Sequence, residues 1–232
     1  MMINDNIAKV KERIVASCVR AGRNPAEITI VCVSKDRTVE QIKQALVAGL
    51  TDIGENRVQE ALLKFRHLTP NSQHLTPIRW HMVGHLQTNK VKDAVRIFDL
   101  IHSVDTLHLA QEIDKQAAKI GKVQDVLIQV NTAKEPGKFG LSVNQVLSVI
   151  QEMAKLKNLR IKGLMTIAPL IDDAEKARPY FRLLRELKET AHNIKTIPYE
   201  LNILSMGMTN DFEVAIEEGA TMIRLGRAIF EG

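Results

Sequence analysis

The leading candidate for reactive chemistry in this sequence is a lysine that closes an apolar run. Lys35 follows Ile28-Thr29-Ile30-Val31-Cys32-Val33-Ser34. At a strand end inside a barrel mouth, desolvation would lower the lysine pKa and free its amine to attack an aldehyde. The plainer alternative is a solvated lysine that begins the next loop beside Asp36 and Arg37. A second polar group lies near the C-terminus, in Ser205-Met206-Gly207-Met208-Thr209 and Arg224-Leu225-Gly226-Arg227. Hydroxyls, guanidiniums and a glycine that lets an anion approach backbone N–H groups describe a phosphate cradle. The same residues could equally be loop and cap positions. Other candidates weaken on inspection. His81 and His85 have metal-like spacing, but a predicted strand separates them from any shared helical face. Cys32 lies mid-strand and reads as packing, not as a nucleophile. Glu55 is a candidate base, though a strand-end Glu is more often paired with a neighbour such as Arg57.

The elements that must position these residues alternate. Residues 2–22 read as a helix with Ile7, Val10, Ile14 and Val15 as its stripe and Gly22 as its stop. Strands are predicted at 29–35, 51–56, 78–84, 99–105, 125–131, 160–168, 200–205 and 221–225. Helical patterns separate them, with capping signatures at Thr38/Gln41, Ser142/Gln145 and Asn210/Glu213. Pro70 and Pro77 bracket a polar loop, and residues 134–140 form a turn-rich one. Eight strands without a hairpin imply an all-parallel sheet, and eight is the count that closes a (β/α)8 TIM barrel. Only a short turn follows the last strand, so the extra N-terminal helix is expected to cover that gap. A doubly wound open sheet is the rival, but its Gly-rich loop is missing after the first strand. A single domain over residues 1–232 is expected. In such a barrel the chemistry gathers at strand C-terminal ends, which also carry Asn56, His81, Met165 and Met206.

Composition narrows the classes. The chain has 232 residues, 32 Lys+Arg against 27 Asp+Glu, and 45% hydrophobic residues, which fits a globular protein and not a disordered one. The excess of five positive charges is interleaved with acids, and aromatics make up 4%, which disfavours nucleic-acid binding. No apolar stretch approaches the roughly 20 residues of a membrane span. Polar Asn4, Asp5 and Asn6 stand where a signal peptide would be apolar. Two cysteines cannot build a disulfide framework, so a reducing, cytoplasmic setting is expected.

A reactive amine at strand 1 facing a phosphate cradle at strands 7–8 suggests pyridoxal 5′-phosphate (PLP). The sequence also resembles the pyridoxal phosphate homeostasis proteins, the YggS/PROSC family, almost end to end. The resemblance is carried by Val33-Ser34-Lys35, Gly54-Glu55-Asn56-Arg57-Val58-Gln59-Glu60 and Trp80-His81-Met82-Val83-Gly84-His85-Leu86-Gln87-Thr88-Asn89-Lys90. Lys138-Phe139-Gly140, Gly163-Leu164-Met165-Thr166, Leu204-Ser205-Met206-Gly207-Met208-Thr209 and Arg224-Leu225-Gly226-Arg227-Ala228-Ile229-Phe230 extend it.

The resemblance implies a monomeric barrel of the fold type III PLP class, similar to the N-terminal domain of alanine racemase. It implies an aldimine between PLP and Lys35, with Ser205, Gly226 and Arg227 on the phosphate. It places Arg224 at the pyridine nitrogen and Asn56 and His81 along the ring, with Met165, Met206 and Thr209 completing the cofactor-binding set. A guanidinium cannot take the ring nitrogen's proton, so the electron sink is weakened. The family's role is PLP homeostasis, by buffering and by delivery to apo-enzymes, without a dedicated metabolic reaction. The absence of a second β-domain with an opposing base fits that role; the alternatives are a weak racemase or decarboxylase and a regulatory binding module. Two departures stand out: Asp36-Arg37-Thr38 replaces a loop that commonly carries Pro, and Thr209-Asn210-Asp211 replaces Ser-Asp or Ser-Ala-Asp.

Overall fold

The computed structural model describes residues 2–68, 77–170, 172–194 and 200–232. In chain order the main elements are α1 (Ile3–Ala21), β1 (Thr29–Val33), α2 (Val39–Val47), β2 (Asp52–Glu55), α3 (Val58–Leu68), β3 (Arg79–Met82) and α4 (Val91–Ile97). Next come β4 (Leu100–Val104), α5 (Leu107–Ala118), β5 (Gln124–Asn131), β6 (Leu141–Ser142), α6 (Val146–Met153) and β7 (Leu159–Met165). The chain continues through α7 (Arg178–His192), β8 (Ile203–Ser205), α8 (Phe212–Glu217), β9 (Met222–Leu225) and α9 (Arg227–Phe230).

The strands order as β4-β3-β2-β1-β9-β8-β7-β5, and β5 returns to β4. Every pairing is parallel, so eight strands close into the expected (β/α)8 barrel. The open-sheet rival is thereby excluded. β1 lies between β2 and β9, with Cys32 opposite Ile53 on one side and Leu225 on the other. Val31, Val83, Leu100, Leu127, Met165 and Met222 fill the barrel interior. A larger apolar layer joins the strands to the surrounding helices.

Local sequence accounts for several element ends. Thr38 caps α2 with both halves of a capping box: Gln41 N–H donates to Thr38 Oγ1 at 3.2 Å, and Thr38 N–H donates to Gln41 Oε1 at 3.0 Å. Gly22 stops α1 in the left-handed region at φ 63°. The helix α1 packs on α8 and α9, covering the side of the barrel where the chain runs out, and Asn6 donates its side-chain N–H to Ile229 O. Its buried stripe is Ile3, Ile7, Val10, Ile14 and Cys18. Val15 was expected on that stripe but is exposed, because 100° per residue carries it past the buried arc.

Three other local expectations change. Ser142 Oγ donates to the Gln145 side chain instead of capping a helix, and a short parallel strand, β6, pairs with the end of β5. Helix α8 is preceded not by an Asn210 cap but by Asp211, whose Oδ1 accepts from Met208 N–H at 2.6 Å. Strand β1 ends at Val33, two residues short of the expected end. The loop expected between Pro70 and Pro77 lies largely outside the described residues.

β7 and β8 meet at Gly163, where an added Cβ would lie 1.9 Å from the Ile203 carbonyl oxygen. Gly163→Ala must therefore push β8 away and is expected to cost about 2–3 kcal/mol. For a domain of this size that lowers Tm by roughly 4–12 °C. Val15→Ser, on the exposed side of α1, should leave the thermal melt within about 0.5 kcal/mol of the parent. Circular dichroism melts of the two variants check both outcomes.

Candidate functional site

The C-terminal ends of the strands surround a cavity of about 480 Å³. Its lining includes Lys35, Asn56, Thr209, Arg224, Gly226 and Arg227. His85, Phe139, Ile167 and Leu170 also line it, with the His85 and Phe139 rings stacked at 3.6 Å. The lining thus combines cations and donors with apolar side chains.

Lys35 stands in the turn after β1, not on the strand. Ser34 O accepts from Arg37 N–H at 3.1 Å, and Asp36 takes the left-handed conformation at φ 57° that Asp tolerates better than most residues. Lys35 is exposed, as in the plainer of the two readings, yet it lines the open cavity. The residues after it are engaged. Arg37 pairs with Glu231 and lies over the Phe230 ring at 5.4 Å, which ties this turn to α9. Thr38 spends both its N–H and its hydroxyl in the capping box, and a proline there has neither.

Behind Lys35 the backbone is held by a buried ion pair. Ser34 Oγ donates to Glu55 Oε1 at 2.5 Å, and Lys64 Nζ donates to the same oxygen at 2.7 Å and to Ser34 O at 2.6 Å. Glu55 is fully buried, and burial raises its pKa against the lowering effect of Lys64 and Ser34. The expected Arg57 partner is not used: Arg57 is exposed and pairs with Glu60. Lys64 lies on α3 and carried no sequence signal, because a lysine on an amphipathic helix ordinarily faces water.

A polar chain crosses the barrel interior beneath the cavity. Arg224 donates to Ser205 Oγ at 2.7 Å and to Thr166 O at 2.8 Å. Ser205 Oγ lies 3.0 Å from His102 Nδ1, and His102 Nε2 lies 3.0 Å from His81 Nδ1. His81 Nε2 lies 2.9 Å from Asp52 Oδ1. Burial pushes the Arg224 guanidinium down to about 10, which leaves it charged at neutral pH. Burial above all, with the Arg224 charge adding to it, pushes His102 well below the usual histidine range, so it stays neutral.

Of the ten sequence-predicted residues, the structure brings Lys35, Asn56, Thr209, Arg224, Gly226 and Arg227 to the cavity. His81, Met165, Ser205 and Met206 lie behind it and are buried. Met165 belongs to the inner apolar cluster and Met206 to the outer core. His81 and His85 diverge to different partners, Asp52 and His102 for the first and Asp105 for the second. Cys32 is buried mid-strand, where its thiol is pushed up to about 12, which suits packing. His102 and Asp52 were missed as site residues. Their one available signal was a polar side chain inside a short, otherwise buried strand.

The alanine racemase N-terminal domain family matches residues 6–232. The pyridoxal phosphate homeostasis protein of Aquifex aeolicus (strain VF5) is 42% identical over 97% of this chain and 96% of its own length. The chain belongs to the pyridoxal phosphate homeostasis protein family. Its Escherichia coli (strain K12) member is 37% identical over 98% of this chain and 95% of its own length. A solved structure of PipY from Synechococcus elongatus PCC7942, with PLP bound, is 33% identical and covers 99% of this chain and 100% of that one, with a TM-score of 0.84.

Two measurements check the site's electrostatics. Lys64→Met strands a buried carboxylate and should cost about 3–5 kcal/mol in urea unfolding, most of it recovered in the Glu55→Gln/Lys64→Met double variant. The unfolded chain takes up a proton at His102 near the ordinary pKa of about 6.5, whereas the fold excludes it. Stability held above that pH is therefore lost as pH falls, with a contribution of up to about 1.4 kcal/mol per pH unit. His102→Gln should flatten that part of the acid limb.

Proposed function

We propose that this protein binds PLP in the strand-end cavity through Lys35 and serves intracellular PLP homeostasis by buffering the cofactor and releasing it to apo-enzymes. The carrying observation is the meeting, in one open cavity, of a primary amine with guanidinium and backbone N–H donors.

The residues fit the group. PLP supplies a reactive aldehyde and a dianionic phosphate on one ring. Lys35 offers the amine, and its exposed position suits exchange with outside amines. Gly226 keeps the cradle close to β1, since an added Cβ would lie 3.1 Å from Val33 O. The backbone N–H groups of Thr209 and Asn210 have no intramolecular acceptor among the described residues, because the turn's own bonds use Met208 and Asp211. Together with Arg227 they form the anion site of this reading. Arg224 spends two of its five N–H donors on Ser205 and Thr166 and, as a charged donor, would hold the ring nitrogen unprotonated. Ser205, buried under Arg224, serves as its support in this reading and not as a phosphate ligand. The curated relatives are named for homeostasis and not for a reaction, which favours a carrier over a weak racemase or decarboxylase. The buried, unpaired Cys18 and Cys32 accord with a cytoplasmic setting, and a monomer is the expected state.

Lys35→Ala should abolish the yellow absorbance of the PLP-loaded protein while leaving its circular dichroism unchanged. Borohydride treatment of the loaded parent, followed by peptide mass mapping, should place the adduct on Lys35. An adduct confined to another lysine would sink the assignment.

A further inference from the structure

The hydrogen bonds beneath the cavity have obligate ends. Arg224 can only donate, and an ionised Asp52 can only accept. Burial opposes the charge on Asp52, but the hydrogen bonds from His81 and Arg79 and the Arg79 charge outweigh it and hold the carboxyl below its ordinary pKa. The four links between these ends therefore carry their protons in one direction when both imidazoles are neutral. Arg224 donates to Ser205 Oγ, and the Ser205 hydroxyl donates to His102 Nδ1. His102 must then hold its proton on Nε2 and donate to His81 Nδ1, which leaves His81 to donate from Nε2 to Asp52. Charged neighbours stand at both ends of this network: Arg79 pairs with Asp52, and the charge of Asp211 acts on Arg224.

The chain also has a direction in space. Asp52 begins β2, at the barrel end opposite the cavity, and is only partly buried. His81, His102 and Ser205 come from β3, β4 and β8 and are buried. Arg224 reaches the cavity wall from β9. We propose that Asp52, His81 and His102 are positioning residues for Arg224, forming a one-way hydrogen-bond relay that runs the length of the barrel interior and fixes which donors Arg224 presents to the cavity. The relay orders protons without transferring any, so no bond is made or broken. This inference rests on the cavity being the cofactor site, but its first test does not.

That test is long-range proton–nitrogen NMR of the ¹⁵N-histidine-labelled protein at neutral pH without added PLP. Both His81 and His102 should show the Nε2–H tautomer; a proton on His102 Nδ1 would overturn the relay. The second test compares His102→Gln with His102→Leu, reading hydrogen exchange at Arg224 Nε–H and the PLP dissociation constant. Glutamine can accept from Ser205 and donate to His81, so both readouts should stay within about twofold of the parent. Leucine breaks the relay, and both should change by about tenfold, as for one hydrogen bond to a charged group. Equal behaviour of the two variants would refute a positioning role. If His102→Leu fails to fold, Asp52→Ala replaces it, leaving the interior packing intact and removing the acceptor at the solvent end. Tautomers as expected with no PLP binding in the parent would sink the cofactor reading and leave the relay standing.

Discussion

A guanidinium buried in the mouth of a barrel imposes conditions on everything around it. Arg224 gives up most of its hydration and cannot shed its charge at neutral pH, so its N–H groups must be met by fixed acceptors. Ser205 Oγ and Thr166 O meet two of them. Each acceptor has then to be held in place. Thr166 is anchored through its own hydroxyl to Val130 O and to Thr132. Ser205 is held through His102. One arginine thus recruits polar groups from most of the barrel's circumference. The polar network shares the barrel interior with a six-residue apolar cluster.

The opposite corner of the cavity follows a different logic. Lys35 sits on a short turn outside the strand, and it is the backbone beneath it that is fixed, by Ser34, Glu55 and Lys64. A buried ion pair contributes little net stability compared with an apolar pair of the same size, but its geometry is demanding. Here that demand sets the turn from which Lys35 projects. A rigid base under an exposed amine separates position from solvation. The amine is accessible while the backbone beneath it is held by buried hydrogen bonds.

Much of the architecture was legible because it is local. The β-branched run before Lys35, the capping box at Thr38 and the glycine stop at Gly22 each depend on neighbours a few residues away; the cap and the stop form as read, and the strand forms but ends at Val33. The failures were also local, at places where tertiary contacts compete. Ser142 bonds a side chain instead of a helix end, and Asp211 takes the position expected of Asn210. Glu55 pairs with a buried lysine from α3 and not with the adjacent Arg57, whose exposed side chain goes to Glu60.

The order of strands and helices, the barrel class and the six cavity-lining residues were within reach of the sequence alone. Side-chain periodicity and the βα alternation are properties of consecutive residues, and a parallel barrel puts every strand's C-terminal end on one rim. The roles of Asp52, His81, His102, Ser205 and Lys64 were decided only by tertiary structure. His102 and Ser205 are 103 residues apart in the chain and touch because β4 closes onto β5 and brings β8 across the interior. A polar residue on a buried strand announces that it needs a partner. Which partner it finds depends on the direction each inward side chain takes once the sheet has curved shut.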